Sequence, residues 1–401
     1  MKIAFIANYM LESVAPLAKN MVAKNHEVHV YATMPKRSQN MFVVDFSDSP
    51  QPNGFISDGI KQQQMGATLL KYLAGVKFDF FIFPAGSGKR TFFTDIYYAW
   101  QLSQQLKQEK FDIINVIHTC NRFTLLLMFF LKKECLVQTL HEVTAHSGDT
   151  STYEIRIMNQ LIKKNIPIIF HSHISLERFI KYRKSVDPLP IPDGLYQMIR
   201  FGLYETYTHH LPVVKNEMKK ATHNGVPVIL HFGKIVPYKG IDILIEAIKI
   251  IQQNTPVHLI VAGAGKPYFT FDGVNSYEFI NSSLSTEKIV SLIEQSVMVV
   301  CPYKSGSQSG IPPSVFPFNK PIVASNTGGF KEVIDDNVTG LIIDNNTPET
   351  LAKTILRLLN DKELQKNMAA NIQQKFKLGE FSWQEITKQT ISFYEKHLPR
   401  L

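Results

Sequence analysis

Two lysines five residues apart, Lys234 and Lys239, carry the clearest chemical signal in the sequence. They sit in a turn framed by Gly233, Pro237 and Gly240, straight after an apolar run from Val228 to Phe232 that reads as a buried strand. Two ammonium groups in such a glycine-framed turn suit a phosphate; two solvated loop lysines are the plainer reading. A second candidate begins at Met298, in MVVCPYKSGSQSGIPPSVFPFNKPIVASNTGGFKEVI. It reads as strand, polar loop, helix start, strand, Gly-Gly, helix start. Pro312 and Pro313 fit a first helical turn, where N–H groups have no intrahelical use. The amides of Ser309, Gly310 and Ile311, and those near Gly328 and Gly329, could then face an anion. A third strand, His258 to Ala262, ends in Gly263-Ala264-Gly265, where doubly wound sheets bind ligands.

Other apparent motifs fail on spacing. AGSGKRT lacks the glycine at 83 and the Ser or Thr at 90 that a P-loop needs, having Phe83 and Arg90 instead. In HEVTAH the histidines His141 and His146 are five apart rather than four, and the segment follows a strand, so a zinc helix is not expected. Cys120, Cys135 and Cys301 form no C-x-x-C pair and read as buried thiols in a reducing compartment.

These residues need strands and helices to hold them. Repeated strand–helix units run from Lys2 to Phe170 and again from Val228 to Ile343. With 401 residues, 44% apolar and 19% charged, the chain is long enough for two full cores. The expected domains are 1–208, a linker 209–225, a second domain 226–380, and a final helix 381–401. Residues 35 to 65 are polar and irregular and read as a surface loop. The start, MKIAFIANYM, reads as a first strand rather than a leader, and the longest apolar run, Leu125 to Leu131, is far short of a bilayer span. A cytoplasmic protein follows, with a place at the inner face of the membrane left open. The net charge of +9 invites an anionic partner. No nucleic-acid motif is visible, so nucleic acid is not expected. Basic clusters at Lys132-Lys133, Lys163-Lys164 and Lys181 to Lys184 are either solvated helix ends or a contact with an anionic membrane through the first domain.

The stretch from 298 resembles the nucleotide-sugar site of family 4 retaining glycosyltransferases (glycosyl transferases group 1). Those commonly read P-S-x-x-E-G-F-G-x-x-x-x-E-A-x-A-x-G-x-P-V-V-A-S here. This chain keeps Pro302, Pro321 and the IVAS after it, and puts Gly306 and Ser314 where the family usually has its two glutamates. Its Gly233-Lys234 to Lys239-Gly240 is similar to the family's G-R-x-x-x-x-K-G, with Lys234 replacing the usual Arg. Thr139-Leu140-His141 is similar to a T-x-H near the transferring sugar, and Glu332 to the glutamate of G-G-x-x-E.

The resemblance implies an α/β GT-B fold, with two doubly wound (Rossmann-like) parallel-sheet domains facing across a cleft. It implies transfer from a nucleoside-diphosphate sugar to a glycan or lipid-linked acceptor in surface polysaccharide biosynthesis. His141 and Lys239 would be the catalytic residues. Gly233, Lys234, Lys239, Gly263, Gly265, Ser309, Gly310, Ile311, Gly328, Gly329 and Glu332 would bind the donor. His141 could instead be a loop histidine bonded to backbone, and Glu332 could only cap its own helix. No cofactor and no metal is expected, since no D-x-D occurs. The alternative is a non-catalytic protein of the same fold that has lost the glutamates.

Overall fold

The computed structural model describes residues 1–8, 11–36, 46, 50–84, 91–117, 121–141, 152–210, 225–305 and 309–398. The chain divides into two units, Met1–Phe201 with Trp383–Leu401, and Gly202–Ser382.

The first unit has an eight-stranded sheet. Its strands are β1 (Lys2–Ala7), β2 (Glu27–Pro35), β3 (Gly54–Phe55), β4 (Lys77–Phe83), β5 (Ile113–Ile117), β6 (Leu136–Leu140), β7 (Ile168–Phe170) and β8 (Tyr196–Met198). The order is β3-β4-β2-β1-β5-β6-β7-β8, parallel throughout except for the short β3. Helices α1 (Leu11–Val22), α2 (Asp58–Tyr72), α3 (Phe92–Glu109), α4 (Arg122–Phe130), α5 (Thr152–Lys164) and α6 (His173–Val186) cover it. Strands covered on both faces need apolar side chains on both, which is why they read as continuous apolar runs. In β1, Ile3, Phe5 and Ala7 enter a core shared with α1, α2 and the C-terminal helix Trp383–His397. Ala4 and Ile6 enter the opposite core, shared with α3 to α6.

The C-terminal helix is bonded into this unit as well as packed on it. Asn115 Nδ2 in β5 donates to Tyr394 Oη at 2.7 Å, and Thr139 Oγ1 in β6 donates to Asn115 Oδ1 at 3.0 Å. All three groups are buried.

Two local features differ from the expectation for this half. Helix α2 occupies part of the polar stretch expected to be loop. Met65, Leu69 and Tyr72 join the core and Ile60 packs against it, so the apolar residues of α2 recur at wide spacing. The basic run at 181–184 is also not one surface cluster. Arg183 is 1% exposed and donates to the carbonyl of Ile162 and to Asn165 Oδ1, both at 3.3 Å.

The second unit has a six-stranded, all-parallel sheet: β9 (Val228–Phe232), β10 (His258–Ala262), β11 (Tyr277–Ile280), β12 (Met298–Cys301), β13 (Ile322–Ser325) and β14 (Gly340–Ile343), in the order β11-β10-β9-β12-β13-β14. Its helices are α7 (Ile241–Gln252), α8 (Thr286–Gln295), α9 (Ile311–Val315), α10 (Phe330–Val333), α11 (Pro348–Asn360) and α12 (Lys362–Gln373). Ile241, Leu244, Ile245 and Ile248 form the buried stripe of α7. Leu203 and Tyr207, which the sequence reading left at the end of the first domain, pack in this unit's core. Most of the expected linker, 211–224, lies outside the described residues.

Tyr394→Phe should lower the melting midpoint, because Asn115 Nδ2 would keep its burial and lose its acceptor, at a cost of about 1–3 kcal/mol. Thermal denaturation of the purified variant checks this; an unchanged midpoint would mean the bond adds nothing to holding the last helix.

Candidate functional site

Every strand of the second sheet points the same way, so the loops leaving β9, β12 and β13 emerge on one edge. The loop after β9 makes a single tight turn, Pro237–Lys239, and ends at Gly240 with φ of 67°. A Cβ on Gly240 would lie 1.9 Å from the carbonyl oxygen of Pro302. Glycine is thus what lets this loop lie against the one after β12. The two loops are tied together: Lys304 N donates to the Tyr238 carbonyl at 2.7 Å, and Lys304 Nζ to Asp242 Oδ2 at 2.6 Å.

This packing draws Lys239 inward. It is 9% exposed, its Nζ donates to Tyr303 Oη at 2.7 Å, and it sits 4.5 Å from the centroid of the Tyr303 ring. No carboxylate pairs with it among the described residues. Burial lowers its pKa, opposed only by Cys301. That thiol is itself pushed up to about 12 by burial, so it brings no negative charge at neutral pH. Next to them His231 is pushed down to about 4, first by burial and then by the Lys239 charge. Neutral His231 has its Nδ1 2.9 Å from the Val300 carbonyl, so Nδ1 carries the proton and donates. Its Nε2 lone pair is buried without a partner.

Tyr303 is the hub of the site. Its carbonyl accepts from Ser325 Oγ at 2.6 Å, its ring packs 5.1 Å from Phe330, and its hydroxyl lies 3.5 Å from Ser309 Oγ. Burial holds that hydroxyl protonated. An ammonium has three N–H donors, and Tyr303 takes one. A buried cation with donors to spare and no counter-charge is built to take an anion.

Residues 214–375 match the family model described as Glycosyl transferases group 1. That stretch is similar to this family. It contains the whole of the site just described. An uncharacterized glycosyltransferase of Methanocaldococcus jannaschii is 30% identical over 172 residues, 42% of this chain and 47% of that protein. The match therefore spans about half the length of this curated relative. Both units are matched in solved structures. A glycosyltransferase of Rickettsia africae gives a TM-score of 0.65 at 16% identity, over 100% of this chain and 99% of that one. Anabaena HepE, solved with UDP-glucose, gives 0.63 at 18% identity, over 99% and 100%. The fold is GT-B, with two Rossmann-like parallel-sheet units, as the resemblance implied.

The other expected site residues fare differently. Lys234 is exposed, and no bond among the described residues draws it toward Lys239. A Cβ on Gly233 would come within 3.2 Å of Lys239 Nζ, so the missing side chain makes room for that ammonium. Gly263 and Gly265 serve the loop itself: a Cβ on either would lie 1.9 or 2.3 Å from the carbonyl oxygens of Gly233 or Ile235. Ser309 Oγ accepts from the Ile311 amide at 3.3 Å, so that amide is already used. Gly310 has φ of −72° and leads into α9, and its absent side chain leaves open space save for Tyr204 Oη at 3.5 Å. Gly328 has φ of 56°, Gly329 precedes α10, and the Glu332 amide donates to the Gly329 carbonyl at 3.1 Å. Ser314 is buried, and its hydroxyl donates to the Gly310 carbonyl at 2.7 Å. Gly306 lies outside the described residues.

In the first unit, His141 follows β6 at that sheet's C-terminal edge and is buried. Its carbonyl accepts from Ser175 Oγ at 3.1 Å. Its ring packs 4.6 Å from His171 and 5.0 Å from Phe201, and His171 Nδ1 lies 2.8 Å from the Ile199 carbonyl. The sequence reading did not single out His171, Phe201, His231 or Tyr303. The one available signal was position, each of the two unmarked histidines lying in or just after a strand.

Lys239→Met should raise the melting midpoint of the unliganded protein, because a desolvated, unpaired charge is replaced by an apolar chain of similar length. Differential scanning calorimetry without nucleotide checks this; a lowered midpoint would mean that Lys239 is already compensated.

Proposed function

We propose that this chain is a retaining glycosyltransferase that uses a nucleoside-diphosphate sugar and transfers the sugar to a glycan or lipid-linked acceptor. The observation that carries this reading is the buried Lys239 ammonium, with no carboxylate partner among the described residues, inside a Glycosyl transferases group 1 match. HepE was solved with UDP-glucose, which makes UDP the first nucleotide to test.

In the reaction the bond from the sugar's anomeric carbon to the diphosphate oxygen breaks, and the acceptor oxygen bonds to that carbon on the same face. The acceptor proton passes to the departing phosphate. Negative charge grows on the leaving diphosphate, and Lys239, steadied by Tyr303, would meet it where water is scarce. Lys239 would supply positive charge that a divalent metal supplies in other systems, so turnover should survive chelation. The amides of Ser309 and Gly310 would hold phosphate oxygens, and His141 would bond the sugar or the incoming hydroxyl.

Titration calorimetry with UDP and uridine tests the donor half. Lys239→Ala should weaken UDP binding by about 1.5–3 kcal/mol, the worth of a charge-assisted bond, and leave uridine almost unchanged. Gly310→Asp should be as severe, since φ of −72° admits any side chain and the added carboxylate would stand at the anion site. Equal losses for UDP and uridine would remove Lys239 from the phosphates.

The affinity for UDP should also fall as pH rises above neutrality. Burial has lowered the Lys239 pKa, so the free site loses its proton earlier than an ordinary lysine. A bound anion holds that proton on, and binding must then take one up. Lys239→Met should flatten this slope. Binding of UDP with no turnover of any donor, with or without chelator, would favour a non-catalytic protein of this fold.

A further inference from the structure

The first unit carries a surface to which the proposed function assigns no role. The buried side of α3 is formed by Asp95, Ala99, Leu102, Ser103 and Leu106. Its opposite side should be polar on a solvated helix. It instead exposes Phe93 (76%), Tyr97 (55%) and Trp100 (45%), at spacings that put all three on one face. Phe92 joins them at the helix start, its ring 5.8 Å from that of Phe93. Arg122 fixes this end of α3 to the start of α4, bonding Asp95 and Thr91 Oγ1.

Beyond Phe92 lies an open groove of about 1020 Å³ between α4 and α5. One wall is apolar, made by Leu125, Leu126 and Phe129, which is 63% exposed. The other is basic, made by Arg156, Lys163 and Lys164 with Lys133 at the end, against the single carboxylate of Glu134. Lys164 Nζ stands 5.5 Å above the Phe129 ring, where the two walls meet. Arg156, Lys163 and Lys133 are exposed and form no ion pair with a carboxylate among the described residues. Exposed aromatics beside cations that no described carboxylate pairs are the pattern of a surface that meets the headgroup layer of an anionic bilayer. The rings settle at the interface and the cations pair with phosphate.

We infer that the α3–α4–α5 face docks on an anionic phospholipid bilayer, with Phe93, Tyr97 and Trp100 in the headgroup layer and Arg156 and Lys163 on lipid phosphates. The charge complementarity of the groove selects this occupant over a neutral surface. The inference is compatible with a lipid-linked acceptor but does not depend on the donor chemistry.

Of the two tryptophans in the chain, Trp383 is 4% exposed, so Trp100 reports on this face directly. The test uses the full-length protein with vesicles of phosphatidylcholine, alone or mixed with phosphatidylglycerol. Co-sedimentation and tryptophan emission are read on the same samples. The protein should sediment with the mixed vesicles only, its emission should shift to the blue, and Trp100→Phe should abolish the shift while sedimentation persists. Arg156→Gln with Lys163→Gln should weaken sedimentation about 25-fold, from roughly fivefold per cation at an anionic surface. Phe93→Ser should weaken sedimentation with the mixed vesicles. UDP-induced stabilisation should be the same in all these variants, which separates this result from the fate of the proposed activity. Absence of sedimentation would overturn the inference. So would equal binding to neutral vesicles, or an unchanged Gln double variant.

Discussion

The candidate site of the second unit rests on one constraint: a lysine ammonium held almost out of water with only a phenol hydroxyl as partner among the described residues. Taking a charge out of water is costly, so the surroundings must force it. Here the force is backbone packing. Gly240 lets the loop after β9 lie on Pro302, Gly233 leaves space at Nζ, and Gly263 and Gly265 let the end of β10 close against residues 233 to 235. Sheet topology then delivers Tyr303 from the neighbouring strand β12, so the cation is framed before any ligand arrives. The cost is borne by the folded core of the unit, and a phosphate would relieve it.

Much of this was legible in the sequence because it depends on local pattern. Strands buried on both faces must be apolar, and β9, β10, β12 and β13 stood out on that ground. The glycine-framed turn marked Lys239 because glycines beside a cation after a strand imply close backbone approach. Helix α2 was not legible, since glutamines and small residues separate Ile60, Met65 and Leu69 in its sequence. Arg183 was misread as surface, because a run of basic residues does not say which of them the helix turns inward.

The site residues missed in sequence share a cause. Tyr303, His231, His171 and Phe201 acquire their roles from partners far along the chain: Lys239 for Tyr303, Val300 for His231, and Ile199 and His141 for His171. A single chain read in order gives no sign of such pairings. Gly263 and Gly265 show a further demand on glycine. Glycines after a strand were read as a ligand crevice, and the atoms that a Cβ at either would meet are the protein's own backbone. A glycine signals that something approaches closely, and the approaching group has to be found in three dimensions.

The serine at 314, where the resembling family usually carries a glutamate, is part of how this loop is built. Its hydroxyl gives a proton to the Gly310 carbonyl one turn back, and the residue is 4% exposed. An ionised carboxylate could not make that bond, having no proton to give, and would face the carbonyl oxygen in a desolvated place. The turn is therefore shaped for a neutral donor. The same neutrality acts on Lys239. Ser309 and Tyr303 nearby contribute dipoles and no charge, so nothing described on this loop competes with an incoming anion for the ammonium. An anion bound here would meet one desolvated cation and oriented backbone, and selectivity for the rest of the ligand would come from shape and neutral hydrogen bonds.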